Sequence, residues 1–168
     1  MKILLLEDNP QNIESLKIAI LAACPTANIT VMTEIGANFY GYTGADKAVK
    51  LASYDAVITD VNMPGYTDRD GMMMSPIGPV IALKALQQGV KRVAVLTDAN
   101  HHEASPVSKA ADLFTELSEG EADCVIGNIK VIYRNIDKTN IKNVTRTLQW
   151  LFYIGSERFM TWAKANPQ

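Results

Sequence analysis

Two short apolar runs of this sequence each end in acidic residues. The first is followed by Glu7 and Asp8, and the second, residues 54–59, is followed by Asp60. Two carboxylates about 5 Å apart repel by roughly 3 kcal/mol at an effective dielectric near 20, so three together need a cation or shifted pKa values. Oxygen ligands with room for water and phosphate oxygens suit Mg²⁺. The pattern predicts an acidic magnesium pocket in which one carboxylate acts as a nucleophile towards a phosphoryl group.

The elements that would position these acids alternate along the chain. Strands are predicted over residues 2–7, 28–35, 54–59, 91–97 and 122–127, with residues 130–133 extending the fifth strand or forming an extra one. Helices are predicted over residues 10–24, 45–53, 76–88, 104–119 and 139–163, with a long loop over residues 61–75. Continuous apolar strands alternating with helices are typical of a doubly wound parallel sheet with helices on both faces. Ligands bind beyond the carboxyl ends of such strands, where Glu7, Asp8, Asp60 and Thr97 are expected.

Length and composition are those of a globular domain. The chain has 168 residues, 48% of them apolar and 20% charged, with a net charge of −2. That charge gives no overall bias towards nucleic acid or membrane. The N-terminal apolar run is too short for a signal peptide or a membrane span, and the two cysteines have no metal-binding spacing, so a cytoplasmic protein is predicted. Residues 1–138 are predicted to form the main body, with residues 139–168 as an extended helix packed on the same domain.

Three segments resemble the receiver domains of bacterial two-component response regulators. They are residues 2–9 with their acidic pair, residues 54–65 with an aspartate before Asn-Met-Pro, and residues 92–97 ending in threonine. The resemblance covers about residues 2–127 and implies a flavodoxin-like fold with a five-stranded parallel sheet.

The resemblance also implies a role for each matching residue. Asp60 would accept a phosphoryl group from a histidine kinase or phosphotransfer protein. Asp8, Asp60 and the backbone carbonyl of Asn62 would ligate Mg²⁺, and Glu7 would act directly or through water. Thr97 would be the switch hydroxyl.

The sequence departs from the receiver pattern near the expected phosphoryl group. Receivers have a lysine after strand 5; aligning residues 121–127 with that strand puts Asn128 at the lysine position, with Lys130 two residues further on. These two residues are therefore the predicted substitutes for the phosphoryl-contacting lysine. Val125 replaces the usual aromatic switch residue, and Asp98 replaces the small residue after the switch threonine. An insertion over about residues 66–69 lengthens the loop after the acceptor.

Three functions remain open from these residues. The first is a stand-alone receiver in phosphorelay signalling that acts on a downstream protein target and has no nucleic-acid-binding domain or turnover activity beyond its own phosphorylation and dephosphorylation. The second is a degenerate receiver that binds or dimerises without a phosphorylation cycle. The third is a phosphohydrolase of the haloacid-dehalogenase type, which needs a general acid two residues after the nucleophile. Asn62 occupies that position and cannot transfer a proton.

The C-terminal helix is richer in apolar residues than one buried face requires. Its inward stripe at helical spacing consists of Ile141, Val144, Leu148, Leu151 and Phe152. Trp150, Tyr153 and Ile154 lie off that stripe. Two interpretations follow: a longer helix packed on its own core, or a second contact with a partner or another copy of the chain.

Overall fold

The computed structural model describes residues 1–36, 49–67, 71–75, 77–98, 122–126 and 129–153. Eight strands lie in these ranges: β1 (Lys2–Leu6), β2 (Asn28–Met32), β3 (Ala56–Thr59), β4 (Met63–Thr67), β5 (Gly71–Ser75), β6 (Arg92–Thr97), β7 (Ala122–Ile126) and β8 (Ile129–Asn135). Three helices accompany them: α1 (Pro10–Ala23), α2 (Gly78–Gln87) and α3 (Ile141–Tyr153). A single 3-10 turn, Leu51–Ser53, precedes β3. The predicted helix over residues 104–119 lies outside the described residues.

The main sheet has the order β2-β1-β3-β6-β8-β7, and its first five strands are parallel. The predicted flavodoxin-like fold with five parallel strands is therefore confirmed. The predicted identity of the fifth strand is wrong. β8 pairs with β6 in parallel, whereas β7, over the range assigned to strand 5, is an antiparallel strand at the edge. Its register with β8 is antiparallel and pairs Ile126 with Ile129.

The helices cover both faces of the sheet and divide the core in two. On one face, α1 and α3 pack together over Ile3, Leu5 and Ile58. On the other face, α2 and the 3-10 turn pack over Leu4, Leu6 and Val57. Alternate residues of β1 and β3 thus point into opposite cores, which explains why these strands are apolar at every position. No helix in the described part of the chain is long and apolar enough to cross a membrane.

Local capping sets the start and end of α1 where the sequence predicts them. The Asn9 side chain accepts hydrogen bonds from the backbone N–H of Gln11 (2.9 Å) and of Asn12 (3.5 Å), and Pro10 occupies the first turn. The helix ends at Ala23, one residue before Cys24, which precedes a proline and is not helical. This capping fixes the direction in which the chain leaves Glu7 and Asp8.

The segment after Asp60 is a hairpin, and the prediction of a loop over residues 61–75 is wrong there. β4 and β5 pair antiparallel from Met63 with Ser75 to Thr67 with Gly71. This pairing gives hydrogen-bond partners to backbone N–H and C=O groups that would bind water in an irregular loop. The Ile35 N–H donates to the Pro64 carbonyl at 2.8 Å and ties the hairpin to the segment that follows β2. The paired strands β4 and β5 are thus anchored beside the acidic edge.

The described part of the C-terminal helix packs onto the domain. Val144, Leu148, Leu151 and Phe152 are all buried in the core shared with α1. Trp150 and Tyr153 are partly buried against the same core. The apolar stripe is therefore covered by the chain itself as far as Tyr153. Residues 154–168 lie outside the described residues, and self-association through this helix stays a prediction.

Candidate functional site

Three carboxylates converge at the carboxyl edge of the sheet. Oxygens of Glu7, Asp8 and Asp60 lie within 4.8 Å of one another. Glu7 and Asp8 follow β1, and Asp60 follows β3, which pairs directly with β1. The parallel register delivers both strand ends to one place, because Leu6 lies opposite Thr59. Glu7 and Asp60 are buried, whereas Asp8 is partly exposed.

A buried lysine neutralises part of this cluster. Lys138 Nζ lies 2.6 Å from Glu7 Oε2 and 3.0 Å from Asp60 Oδ1. Its side chain is fully buried, and it sits three residues beyond the end of β8. The Ile136 N–H donates to the Thr97 carbonyl at 2.8 Å and holds the segment that carries Lys138 against β6. The lysine reaches the acids because β8, and not β7, is the neighbour of β6.

One ammonium does not balance the carboxylates around it. Burial raises the pKa of Asp60 from its ordinary value of 3.8 to about 6, although Lys138 acts in the opposite direction. Burial also lowers the pKa of Lys138, but Asp60 and Glu7 outweigh that effect, so its net shift is upward. The two shifts agree physically, since burial favours the neutral form of Asp60 while the nearby carboxylates favour the charged form of Lys138. The pocket therefore favours a further cation.

The Asp60 carboxylate is oriented by its own backbone turn. The Val61 N–H donates to Asp60 Oδ1 at 2.6 Å, and Lys138 contacts the same oxygen. The Gly78 N–H donates to the Val61 carbonyl at 3.0 Å, which brings the start of α2 directly against this turn. A Cβ at Gly78 would overlap the Asp60 carbonyl oxygen, so only glycine permits this approach.

We expect Gly78→Ala to lower the free energy of unfolding by about 1–3 kcal/mol, because its methyl group must displace the Asp60 turn. Urea unfolding measures the loss. Gly36→Ala is the matched control, since a Cβ at Gly36 meets no atom within 4 Å. Equal unfolding midpoints for the two variants would show that the Asp60 turn can move to accept the methyl group without a loss of stability.

The remaining predicted site residues are only partly brought together. Thr97 is buried at the carboxyl end of β6, next but one in the sheet to the strand that carries Glu7. Asn62 lies in the bend between Asp60 and β4. Lys130 pairs with Arg92 at the amino end of β6, the opposite edge of the sheet from Thr97, so it is not placed at the pocket. Asn128 lies outside the described residues.

Sequence reasoning missed Lys138 because it assigned the wrong fifth strand. The usable signal was Gly127-Asn128, a two-residue connection typical of a hairpin between two β-rich runs. That connection makes residues 129–135 a separate strand and moves the expected lysine beyond it. No proline follows Lys138, so the local motif alone would not have identified it.

Comparisons with known proteins agree with this geometry at the level of the fold. No family model matches the chain, and no curated protein matches it. Among solved structures, the Mn²⁺-bound form of response regulator Rcp1 is similar, with a TM-score of 0.50 and 16% identity over 92% of this chain and 97% of that one. The phosphorylated cyanobacterial phytochrome response regulator RcpA has a TM-score of 0.50 and 16% identity, over 92% of this chain and 96% of that one. The fold is that of a receiver domain.

Two additional pieces of β-structure lie along the chain between the parallel strands. The β4–β5 hairpin lies between Asp60 and α2, and the edge strand β7 precedes β8. Both additions extend the chain between parallel strands without changing the order of those strands. The ends of β1 and β3 therefore form the acidic edge, and Lys138 enters that edge from the end of β8.

Proposed function

We propose that this chain is a phosphorelay receiver that accepts a phosphoryl group on Asp60. The observation that carries the proposal is the contact of Lys138 with both Asp60 Oδ1 and Glu7 Oε2, at 3.0 and 2.6 Å. A lone acidic cluster is common on protein surfaces, but a buried ammonium beside a buried, oriented carboxylate is suited to binding an anionic group at that carboxylate. The partners follow from the chemistry: a histidine kinase or phosphotransfer protein as donor, and a downstream protein as target.

The acidic residues fit a divalent cation. Glu7, Asp8 and Asp60 provide hard oxygen donors within 4.8 Å of one another, and one ammonium leaves them with excess negative charge. We expect these three side chains and the Asn62 carbonyl to hold Mg²⁺. When bound, the cation neutralises charge on the phosphoryl oxygens during transfer.

The chain's own residues supply orientation and charge to the transfer. Lys138 and the Val61 N–H fix Asp60 through Oδ1, which leaves Oδ2 to attack phosphorus. The new bond is the acyl phosphate O–P bond, and the bond that breaks joins phosphorus to the donor's imidazole nitrogen, which takes up a proton as it leaves. Lys138 remains beside the acceptor and offsets the charge gained there. Thr97, at the end of β6, is the proposed switch hydroxyl.

The degenerate receiver remains the alternative function. Its main support in the sequence was the neutral residue at the expected lysine position. Lys138 supplies the missing ammonium from further along the chain, which favours a working acceptor. Asp98, which lies at the rim of the same pocket, is the observation that still favours the alternative.

Acetyl phosphate with Mg²⁺ tests the proposal directly. We expect one phosphoryl group to be added, by intact mass, through a bond cleaved by hydroxylamine, and we expect Asp60→Asn to abolish the addition. Asp55→Asn is the matched control, because Asp55 lies at the other end of the same strand and contacts the Lys2 N–H. Unmodified wild-type protein at saturating acetyl phosphate, or an unchanged adduct in Asp60→Asn, would contradict the proposal.

A further inference from the structure

Asp98 is linked to the acidic pocket by Asn12. The Asn12 side-chain amide donates to Asp98 Oδ2 at 3.1 Å and to Glu7 Oε1 at 3.4 Å. Asn12 is buried, so its amide is held in place by the packing of α1. Asp98 Oδ1 lies 3.9 Å from Lys138 Nζ, although the Asp98 side chain is 49% exposed. The bond to Asn12 thus holds a half-exposed carboxylate close to the only ammonium described in the pocket.

This placement conflicts with a phosphoryl group on Asp60. Asp98 is the third carboxylate within 4 Å of Lys138 in the described part of the chain, after those of Glu7 and Asp60. Converting the Asp60 carboxylate to an acyl phosphate adds roughly one further negative charge. The new group and Asp98 then compete for Lys138, and they repel each other across a partly desolvated space. Asp98 is free to leave because its outer side faces solvent.

We propose that Asp98 is an electrostatic latch of the unphosphorylated state, held over the pocket by Asn12 and displaced when a phosphoryl group occupies Asp60. Asp98 is a positioning residue in this account, since it acts through Lys138 and Asn12. The inference rests on the proposed function and adds a regulatory element to the same site. Because Asp98 directly follows Thr97, its displacement would pull on the end of β6 that carries the proposed switch hydroxyl.

Beryllofluoride binding with Mg²⁺ tests the latch. We expect Asp98→Asn to bind beryllofluoride at least about fivefold more tightly than wild type at low ionic strength. The asparagine keeps an oxygen that can accept from Asn12, so the substitution removes mainly the charge. The gain should become smaller in about 1 M salt, where the Debye length is about 3 Å, which a purely structural effect would not do.

Two further variants separate the latch from a general charge effect. Glu34→Gln removes one exposed charge just beyond β2, near the same edge of the sheet, and we expect it to leave the affinity nearly unchanged. In an Asn12→Ala background, Asp98→Asn should give a smaller gain, because Asp98 is no longer held over the pocket. Equal affinities of wild type and Asp98→Asn, or an equal gain in Glu34→Gln, would overturn the latch and leave the proposed acceptor standing. No adduct in any variant would overturn both.

Discussion

Lys138→Met is expected to lower the free energy of unfolding by about 3–5 kcal/mol at neutral pH without divalent cations. The substitution keeps most of the side-chain volume but removes the ammonium that contacts Glu7 and Asp60 at 2.6 and 3.0 Å. Two carboxylates would then remain buried without a counter-charge, and this cost exceeds the modest gain from burying an apolar side chain. Urea unfolding in EDTA measures the loss.

Controls for this experiment come from the same region of the chain. Lys142→Met removes an exposed lysine on α3 and is expected to change stability by less than about 0.5 kcal/mol. Adding Glu7→Gln to Lys138→Met should recover part of the loss, because one of the stranded charges is gone. Added Mg²⁺ should stabilise Lys138→Met more than wild type, since cation and ammonium share the same oxygens. Equal stability of Lys138→Met and Lys142→Met would mean that the buried ion pair contributes nothing.

Asp60→Asn is expected to make the metal-free protein more stable at pH 7–8 but not at pH 3–4. Asp60 has a folded-state pKa of about 6 and an ordinary value of 3.8. Below pH 3.8 the Asp60 carboxyl is protonated in both the folded and the unfolded protein, so it does not change the free energy of unfolding. As pH rises towards 6, the unfolded chain releases its proton first, so stability falls, and above 6 the loss is constant. The difference between the two pKa values corresponds to about 3 kcal/mol at most.

The measurement is the difference in unfolding free energy between Asp60→Asn and wild type across that pH range in EDTA. Other carboxylates titrate in both proteins, so the difference isolates Asp60. A constant difference from pH 4 to 8 would rule out a raised pKa at Asp60. We also expect Mg²⁺ to reduce the stability difference between Asp60→Asn and wild type. The cation stabilises the ionised Asp60 carboxylate, which is present only in the wild-type protein.

The convergence of Glu7, Asp8 and Asp60 was predictable because it depends on local signals. An apolar run buried on both faces indicates a central parallel strand, and the carboxyl ends of such strands meet at one edge. Asn9 and Pro10 marked the start of α1 for an equally local reason, since capping involves only neighbouring residues. The fold class and the three carboxylates follow from these signals alone.

Lys138 was not predictable in the same way, because its place depends on which strand pairs with β6. Residues 122–127 and 129–135 are both short β-rich runs, and neither run reveals whether it lies inside the sheet or at its edge. The pairing is decided by tertiary contacts. The β4–β5 hairpin was missed because proline and glycine, present at positions 64 and 65, are uncommon inside strands. Proline is nevertheless tolerated in an edge strand, and both strands of a two-stranded sheet are edges.

The contact between Lys138 and Glu7 joins residues 131 positions apart. A pocket closed by such a distant pair exists only after β8 has joined the sheet, because no shorter stretch of the chain contains both partners. Contacts of this kind form late and slow the search for the native state. An incompletely synthesised or partly folded chain would expose its acids without the lysine. The pocket around Asp60 is therefore complete only in a fully folded domain.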